Sequence, residues 1–334
     1  MSPPNVTLKQ LLDALQDPDK TLNPRYLYRL SDLEPEESKE LEQCWPRVPT
    51  WRRQAVMEDI LQLTESDPVL SFEAVCRIGI QDADPRVREL AVQTLWEYDA
   101  VDLIPAFLHM VVEDENVNVR MASAIALGSF VYLGELEEIR EATLREVEDR
   151  LLEVVNGKDD VLVRRVALES LGYSSRGEVP RLIEKAYYSG NEDWLGSALL
   201  AMGRSANRKW APKIVEMLKS DSANVRAEAA SALGELEIKK TAPDLLPLIQ
   251  DDDDEVRMAA IWSLSKIGGE GVREVLEELY ETTEDEEEAD FIASAMENLV
   301  FADETGLLAL FDFMEDDEED SDLDALPDDE DMDD

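Results

Sequence analysis

Residues 225–234 read "VRAEAASALG". A valine and an arginine lead into small residues, a leucine and a glycine. The same order returns as "VRELAVQTLW" at 87–96, "VRMASAIALG" at 119–128, "VRRVALESLG" at 163–172 and "VRMAAIWSLS" at 256–265. A degenerate copy, "WLGSALLAMG", fills 194–203, and weaker copies start at Trp51 ("WRRQAVMEDI") and Phe291 ("FIASAMENLV"). Successive starts are 36, 32, 44, 31, 31, 31 and 35 residues apart. A unit of that length holds two helices and two turns.

The quoted stretch is the second helix of each unit. The first lies upstream, as in "VPRLIEKAYY" (179–188), "APKIVEMLKS" (211–220) and "TAPDLLPLIQ" (241–250). Pro180, Pro212 and Pro243 fall at the starts of these helices, where a missing N–H costs nothing. Glycines at 128, 172, 203 and 234 fall nine residues after the motif start, where they allow close helix approach or early termination. The 44-residue interval predicts a longer first helix or loop across "GELEEIREATLREVEDRLLEVV" (134–155).

On these copies the chain resembles HEAT-repeat proteins, of the subclass with phycobilisome-lyase-type HEAT-like repeats, over roughly residues 50–302. The resemblance implies an all-α fold, a right-handed α-solenoid of about eight helical hairpins with the Val-Arg helices lining its concave side. It also implies a ladder in which a turn aspartate meets the motif arginine of a neighbouring repeat. Asp82, Asp114 and Asp251 sit six residues before Arg88, Arg120 and Arg257, and Asp159 and Asp221 sit five before Arg164 and Arg226. These are structural residues by default, as buried paired charges are. Asp251 is the candidate partner of Arg257. Leu195 and Ile292 replace the arginine in two repeats, where the ladder is expected to break.

The ends differ from the middle. Residues 1–48 lack the motif, and "TLKQLLDALQ" (7–16) and "EPEESKELEQCW" (34–45) read as helices of an N-terminal cap to the solenoid at 49–314. "ETGLLALFDFM" (304–314) reads as the last helix. The final stretch 315–334 has 14 acids and no base, a density at which the sequence predicts a disordered acidic tail. The whole chain carries 78 acidic and 32 basic residues, a net charge of −46. That argues against binding nucleic acid or an anionic membrane and favours basic protein partners. The start has no signal pattern, and no apolar run approaches a membrane span. Cys44 and Cys76 form no CxxC, as expected of a reducing, cytoplasmic protein with two buried thiols.

No phosphate loop, nucleophile elbow, zinc helix or dinucleotide fingerprint is present. Deoxyhypusine hydroxylase resembles this kind of solenoid and holds two irons through His-Glu pairs. The single histidine here, His109, is followed by Met110 and cannot supply that site. "DDDDE" (251–255) and "EDEEEAD" (284–290) lack the glycine-turn spacing of an EF-hand and read as solvated turns. No metal, cofactor or catalytic residue is expected. Bilin attachment or isomerisation, the activity that names the subclass, rests on analogy.

With the motif valine as origin, offsets +4, +7, +8 and +11 share its packed face, and +2, +6 and +9 point away from it. Of the 24 such outward slots, only five are charged, with a net charge of −1, and nine are large apolar residues: Met57, Ile60, Trp96, Met121, Ile125, Leu200, Met258, Trp262 and Val300. An ordinary solvated face of so acidic a chain would not look like this. The slots predict an apolar concave groove that binds a protein partner with a basic and apolar segment. Burial of these residues within the chain itself is the competing explanation. A non-catalytic interaction scaffold is the first functional expectation, and a tetrapyrrole (bilin) lyase-like or pigment-handling protein is the alternative.

Overall fold

Each strong motif helix is capped three residues before its valine, by a side chain that accepts hydrogen bonds from the first free backbone amides. Asp84, Asn116, Asp160, Ser222 and Asp253 do this for Val87, Val119, Val163, Val225 and Val256, and Asn191 does it for the degenerate copy at Trp194. In the computed structural model, which describes residues 6–269 and 271–300, these caps set the phase of the repeat.

The described residues are helical, with no strand among them. They fall into two compact units, Met1–Ala186 and Tyr187–Asp334. The first unit opens with α1 (Leu8–Gln16) and α2 (Pro35–Cys44), followed by the motif helix α3 (Thr50–Ser66). Three hairpins come next. They are α4 (Glu73–Gly79) with α5 (Pro85–Leu95), α6 (Ile104–Glu113) with α7 (Val117–Glu135), and α8 (Glu141–Asn156) with α9 (Val161–Ser170). Helix α10 (Val179–Tyr187) ends the unit. The second unit holds α11 (Glu192–Arg204), then α12 (Ala211–Met217) with α13 (Ala223–Glu235). The pair α14 (Ala242–Leu245) and α15 (Asp254–Ile267) follows, and then α16 (Val272–Thr282) with α17 (286–300). Pro212 and Pro243 stand in the first turns of α12 and α14, and Pro180 is the second residue of α10. The long interval before residue 163 is taken up by helix: α7 runs 19 residues and α8 runs 16.

Motif helices pack on motif helices. In the first unit α3 lies on α5, α5 on α7 and α7 on α9; in the second, α11 lies on α13 and α13 on α15. The valines and the residues four and eight beyond them fill the core, as with Val225, Ala229 and Leu233, all at or below 1% exposure. Helix α7 is long and apolar enough to cross a membrane by length and composition, a feature that run-by-run reading of the sequence passed over. It is largely buried within the first unit, against α5, α6, α8 and α9, which accounts for its apolarity.

Residues 6–48 contribute to the first unit's core. Leu11, Leu15, Leu30 and Leu41 are fully buried, and Ser71 N–H donates to Ser31 Oγ at 3.0 Å. The predicted helix at 304–314 and the acidic tail at 315–334 lie outside the described residues.

Two motif helices end in the same five-residue context, "LGELE" at 133–137 and at 233–237, and each passes through a left-handed glutamate, Glu137 (φ 62°) and Glu237 (φ 47°). A side chain other than glycine costs about 1–2 kcal/mol there. Glu237→Gly is therefore expected to raise stability by about 1 kcal/mol, read as a higher thermal midpoint. An unchanged midpoint would mean that the turn is already relaxed.

Candidate protein-binding surface

The motif arginines make one repeated contact. Arg88 grips Asp114 of the next repeat through both carboxylate oxygens, at 2.7 and 2.8 Å, and caps its own turn by donating to the Asp82 carbonyl at 2.8 Å. Arg120 holds Asp159 at 3.0 and 2.7 Å, and Arg226 holds Asp251 at 2.8 and 2.7 Å. The aspartate thus serves the arginine before it, while its backbone carbonyl serves the arginine after it. This corrects the pairing expected for Asp251. Its carboxylate belongs to Arg226, and only its carbonyl accepts from Arg257, at 3.1 Å. Arg257 instead reaches Glu288 at 3.3 Å and Asp254 at 2.8 Å. Arg164 donates to the Val155 carbonyl at 3.0 Å. Asp221 is exposed, and the repeat before it carries Leu195 in the arginine's place.

The ladder tunes its own charges. The Arg226 hydrogen bonds hold the Asp251 carboxyl below its usual range, helped by the Asp253 amide and by the charge of Arg257. Burial pushes Asp114 upward, but the Arg88 bonds, the Asn116 amide and the two nearby arginines outweigh it, so that carboxyl also lies low. An acid with a depressed folded pKa contributes stability above its unfolded pKa and loses it as pH falls through the folded one. Wild type is therefore expected to lose stability below about pH 4, the unfolded aspartate value. The deficit of Asp251→Asn, large at pH 7, should shrink over the same window in urea titrations. A deficit independent of pH would remove the ionic account of this rung.

The acidic runs are absorbed by these roles. In "DDDDE", Asp251 pairs with Arg226, Asp253 caps α15 and Asp254 pairs with Arg257. In "EDEEEAD", Asp285 accepts from the amides of Glu287 and Glu288 at 2.9 and 3.0 Å, as the other caps do. Among the described residues no group of three or more His, Cys, Asp or Glu side chains could hold a metal ion. His109 is exposed on α6. Cys76 is fully buried and burial pushes its thiol up to about 12, so it is a core residue and not a nucleophile.

Two of the apolar residues assigned to the outward face are in the core. Met57 and Ile60 are completely buried. The cause is a one-residue slip in the weak first copy. The cap of α3 is Pro49, so the valine's place three residues on is taken by Arg52, not Trp51. Arg52 is 2% exposed and donates to the Ala14 carbonyl at 2.9 Å and to the Lys20 carbonyl, stitching α1 to α3. Arg53 is then the true motif arginine. It is paired with Asp82 at 2.8 Å, a rung that the sequence reading missed. Asp82 also accepts from the Trp45 indole at 2.6 Å. The last copy slips by three: with Asp285 as cap, Glu288 takes the valine's place, and Ile292 is a core residue at 0% exposure.

Five of the +9 slots also leave the face. Gly128, Gly172, Gly203, Gly234 and Ser265 are buried. Gly234 stands where an added Cβ would lie 2.5 Å from Ser263 Oγ and 3.0 Å from its Cα. Ser263 in turn donates across the helix pair to the Ala230 carbonyl at 2.9 Å, and Ser170 does the same to Ala124 at 2.9 Å beside Gly128. These positions join one repeat to the next.

What stays open is narrower. In the first unit Trp96, just after α5, and Ile125 on α7 are exposed, with Met121 half-buried one turn before Ile125. In the second unit Met258 and Trp262, one turn apart on α15, are each 39% exposed, and Val300 is exposed at the end of α17. The Trp262 ring lies 6.1 Å from that of Phe291, which is half-buried on α17. Leu200, half-buried on α11, is separated from α15 by α13, where Ala227 and Ser231 stand at the same offsets.

Solved structures with similar folds include the complex of CpcE and CpcF of phycocyanin lyase from Nostoc (15% identity, 90% of this chain and 97% of that one, TM-score 0.44). Human deoxyhypusine hydroxylase is similar at 16% identity over 78% of this chain and 95% of its own, with a TM-score of 0.33. Yeast importin-beta is similar at 12% identity over 88% of this chain but 46% of its own, with a TM-score of 0.49. No curated protein matches. The family model for HEAT repeats matches residues 73–172 and 211–297, more than half of the sequence, and the chain belongs to the HEAT-repeat family.

Proposed function

We propose that the chain is a non-catalytic interaction scaffold that binds a protein partner along the outward face of its motif helices. The reading is supported most by Trp262. A tryptophan 39% exposed, with Met258 beside it and Phe291 against it, is an amphipathic anchor of the kind that dominates protein interfaces. In the first unit Trp96 and Ile125 offer a second, smaller apolar contact. Surrounding acid, from a chain of net charge −46, favours a partner segment with basic residues flanking apolar ones, and speeds its encounter. We place the scaffold in the cytoplasm, on the two buried free thiols, with residues 1–48 as its cap and 315–334 as an acidic tail.

The experiment is affinity capture from the native host with wild type, Trp262→Ala and Trp96→Ala, each captured protein being identified by mass. Loss of the same protein in the Trp262→Ala sample, with the thermal midpoint unchanged, supports the reading. Identical sets from all three samples remove the apolar face as the binding surface.

A further inference from the structure

Consecutive turns of the second unit carry charge of the opposite sign to the rest of the chain. One short 3-10 turn, Arg208–Trp210, leads into α12, and the next, Lys239–Thr241, leads into α14. Both follow a left-handed residue, Ala206 or Glu237, and both run into a helix with proline in its first turn. They therefore occupy the same place in neighbouring repeats. A cavity lined by Val215 and Leu218 on one side and Pro247 and Leu248 on the other sets the two first-helix segments side by side. Arg208, Lys209, Lys239 and Lys240 are all exposed, and none is in an ion pair among the described residues. The exposed acids nearest in sequence are Glu237, Asp244 and Glu235, the last of them paired with Lys266 at 2.7 Å. Lys213, the next base along, is already engaged. Its ammonium lies 5.7, 5.0 and 5.1 Å from the ring centres of Tyr187, Tyr188 and Trp210.

We propose that this basic edge is the docking site of the chain's own acidic stretch, residues 315–334. The argument is charge and reach. That stretch has 14 acids and no base, in a molecule where most other surfaces would repel it. Between residue 300, the last described, and residue 315 the chain spans about 30 Å with 304–314 helical, as the sequence predicts, and up to about 50 Å fully extended, the scale of a few stacked hairpins. A tethered segment acts at roughly millimolar effective concentration, enough for several weak ion pairs to hold together. Docked there, the stretch covers a patch that would otherwise attract acidic proteins, and a competing polyanion would have to displace it. The inference does not depend on the apolar face being a binding surface.

The test is lysine acylation of the full-length protein, read residue by residue by mass spectrometry. Wild type is compared with a full-length variant whose 14 acids in 315–334 are replaced by the corresponding amides. At ~20 mM salt Lys209, Lys239 and Lys240 should react at least about three-fold more slowly in wild type, and the difference should vanish by ~0.5 M salt, as screened surface pairs require. Lys158, an exposed residue of the first unit, should react equally in both. Equal rates at the three edge lysines at low salt overturn the proposal. So does protection that grows with protein concentration, which would place the acidic stretch of a second copy on the edge. A charge-reversed edge (R208E, K209E, K239E, K240E) gives an independent readout. Carboxylate-to-lysine cross-links between 315–334 and lysines of the 205–240 region should be present in wild type and lost in this variant while the thermal midpoint holds; cross-links that persist to Lys213 or Lys219 overturn it.

Discussion

Asp82→Ala is expected to lower the unfolding free energy of the first unit by about 3–5 kcal/mol, the cost of leaving a buried charge without its partner. Asp82 is the most heavily engaged acid of the ladder. Its side chain is 2% exposed and it pairs with Arg53, itself 9% exposed, at 2.8 Å. It accepts from the Trp45 indole at 2.6 Å and from the Asp84 amide at 2.8 Å. Removing the carboxylate strands the Arg53 guanidinium and the indole N–H in the same cavity, and water replaces neither contact fully. Arg53→Met with Asp82→Ala should recover much of the loss, because an apolar pair pays no desolvation penalty. The same alanine change at Glu141, whose pair with Arg145 is 76% and 69% exposed, should leave the urea midpoint where it was. If Asp82→Ala moves the midpoint no more than Glu141→Ala does, the rung is not what ties residues 45–53 to the next repeat.

That rung was hidden for a physical reason. The strong copies are legible because valine, alanine and leucine recur at positions that are buried in every repeat, as at Val225, Ala229 and Leu233. In the first copy a buried arginine, Arg52, occupies the valine's place and an exposed tryptophan, Trp51, precedes it. Matching by polarity then selects the wrong residue, and every assignment downstream rotates by 100°. The helix caps keep the phase where composition does not. Pro49, three residues before the buried Arg52, and Asp285, three before the half-buried Glu288, would have corrected both weak copies.

The face was misread for a different reason. A wheel drawn for one packed side treats each motif helix as resting on a single neighbour. In the fold each rests on its own first helix and on the motif helices before and after it, as α13 does on α12, α11 and α15. The buried arc widens, and the +9 position turns inward where it is glycine or Ser265, though not at Trp96, while +6 remains open at Ile125 and Trp262. A similar limit applies to Asp251. A spacing of six residues to Arg257 is real, but the backbone carbonyl satisfies it, and the side chain is left for the arginine of the previous repeat.

Gly203 should be the least replaceable of the inward-turned glycines. A Cβ there would lie 2.9 Å from the Ala232 Cα, 3.2 Å from its carbonyl oxygen and 3.3 Å from its Cβ. The obstacle is the backbone of α13, which no rotamer change can move. Gly203→Ala gains about 1 kcal/mol of helix propensity but incurs about 1–3 kcal/mol of overpacking, and Gly203→Val adds a branched side chain to the same gap. The alanine variant should be destabilised by about 1 kcal/mol and the valine variant by about 3 kcal/mol. Gly196, two turns earlier on the same helix, supplies the contrast. Its nearest neighbours would be Glu228 Cγ at 3.8 Å and Asn224 Nδ2 at 3.9 Å, ordinary contacts. Gly196→Ala is expected to stabilise by about 0.5–1 kcal/mol. The two alanine changes should therefore move the urea midpoint in opposite directions. If both raise it, α11 and α13 can separate at no cost, and the glycine does not set the spacing between these repeats.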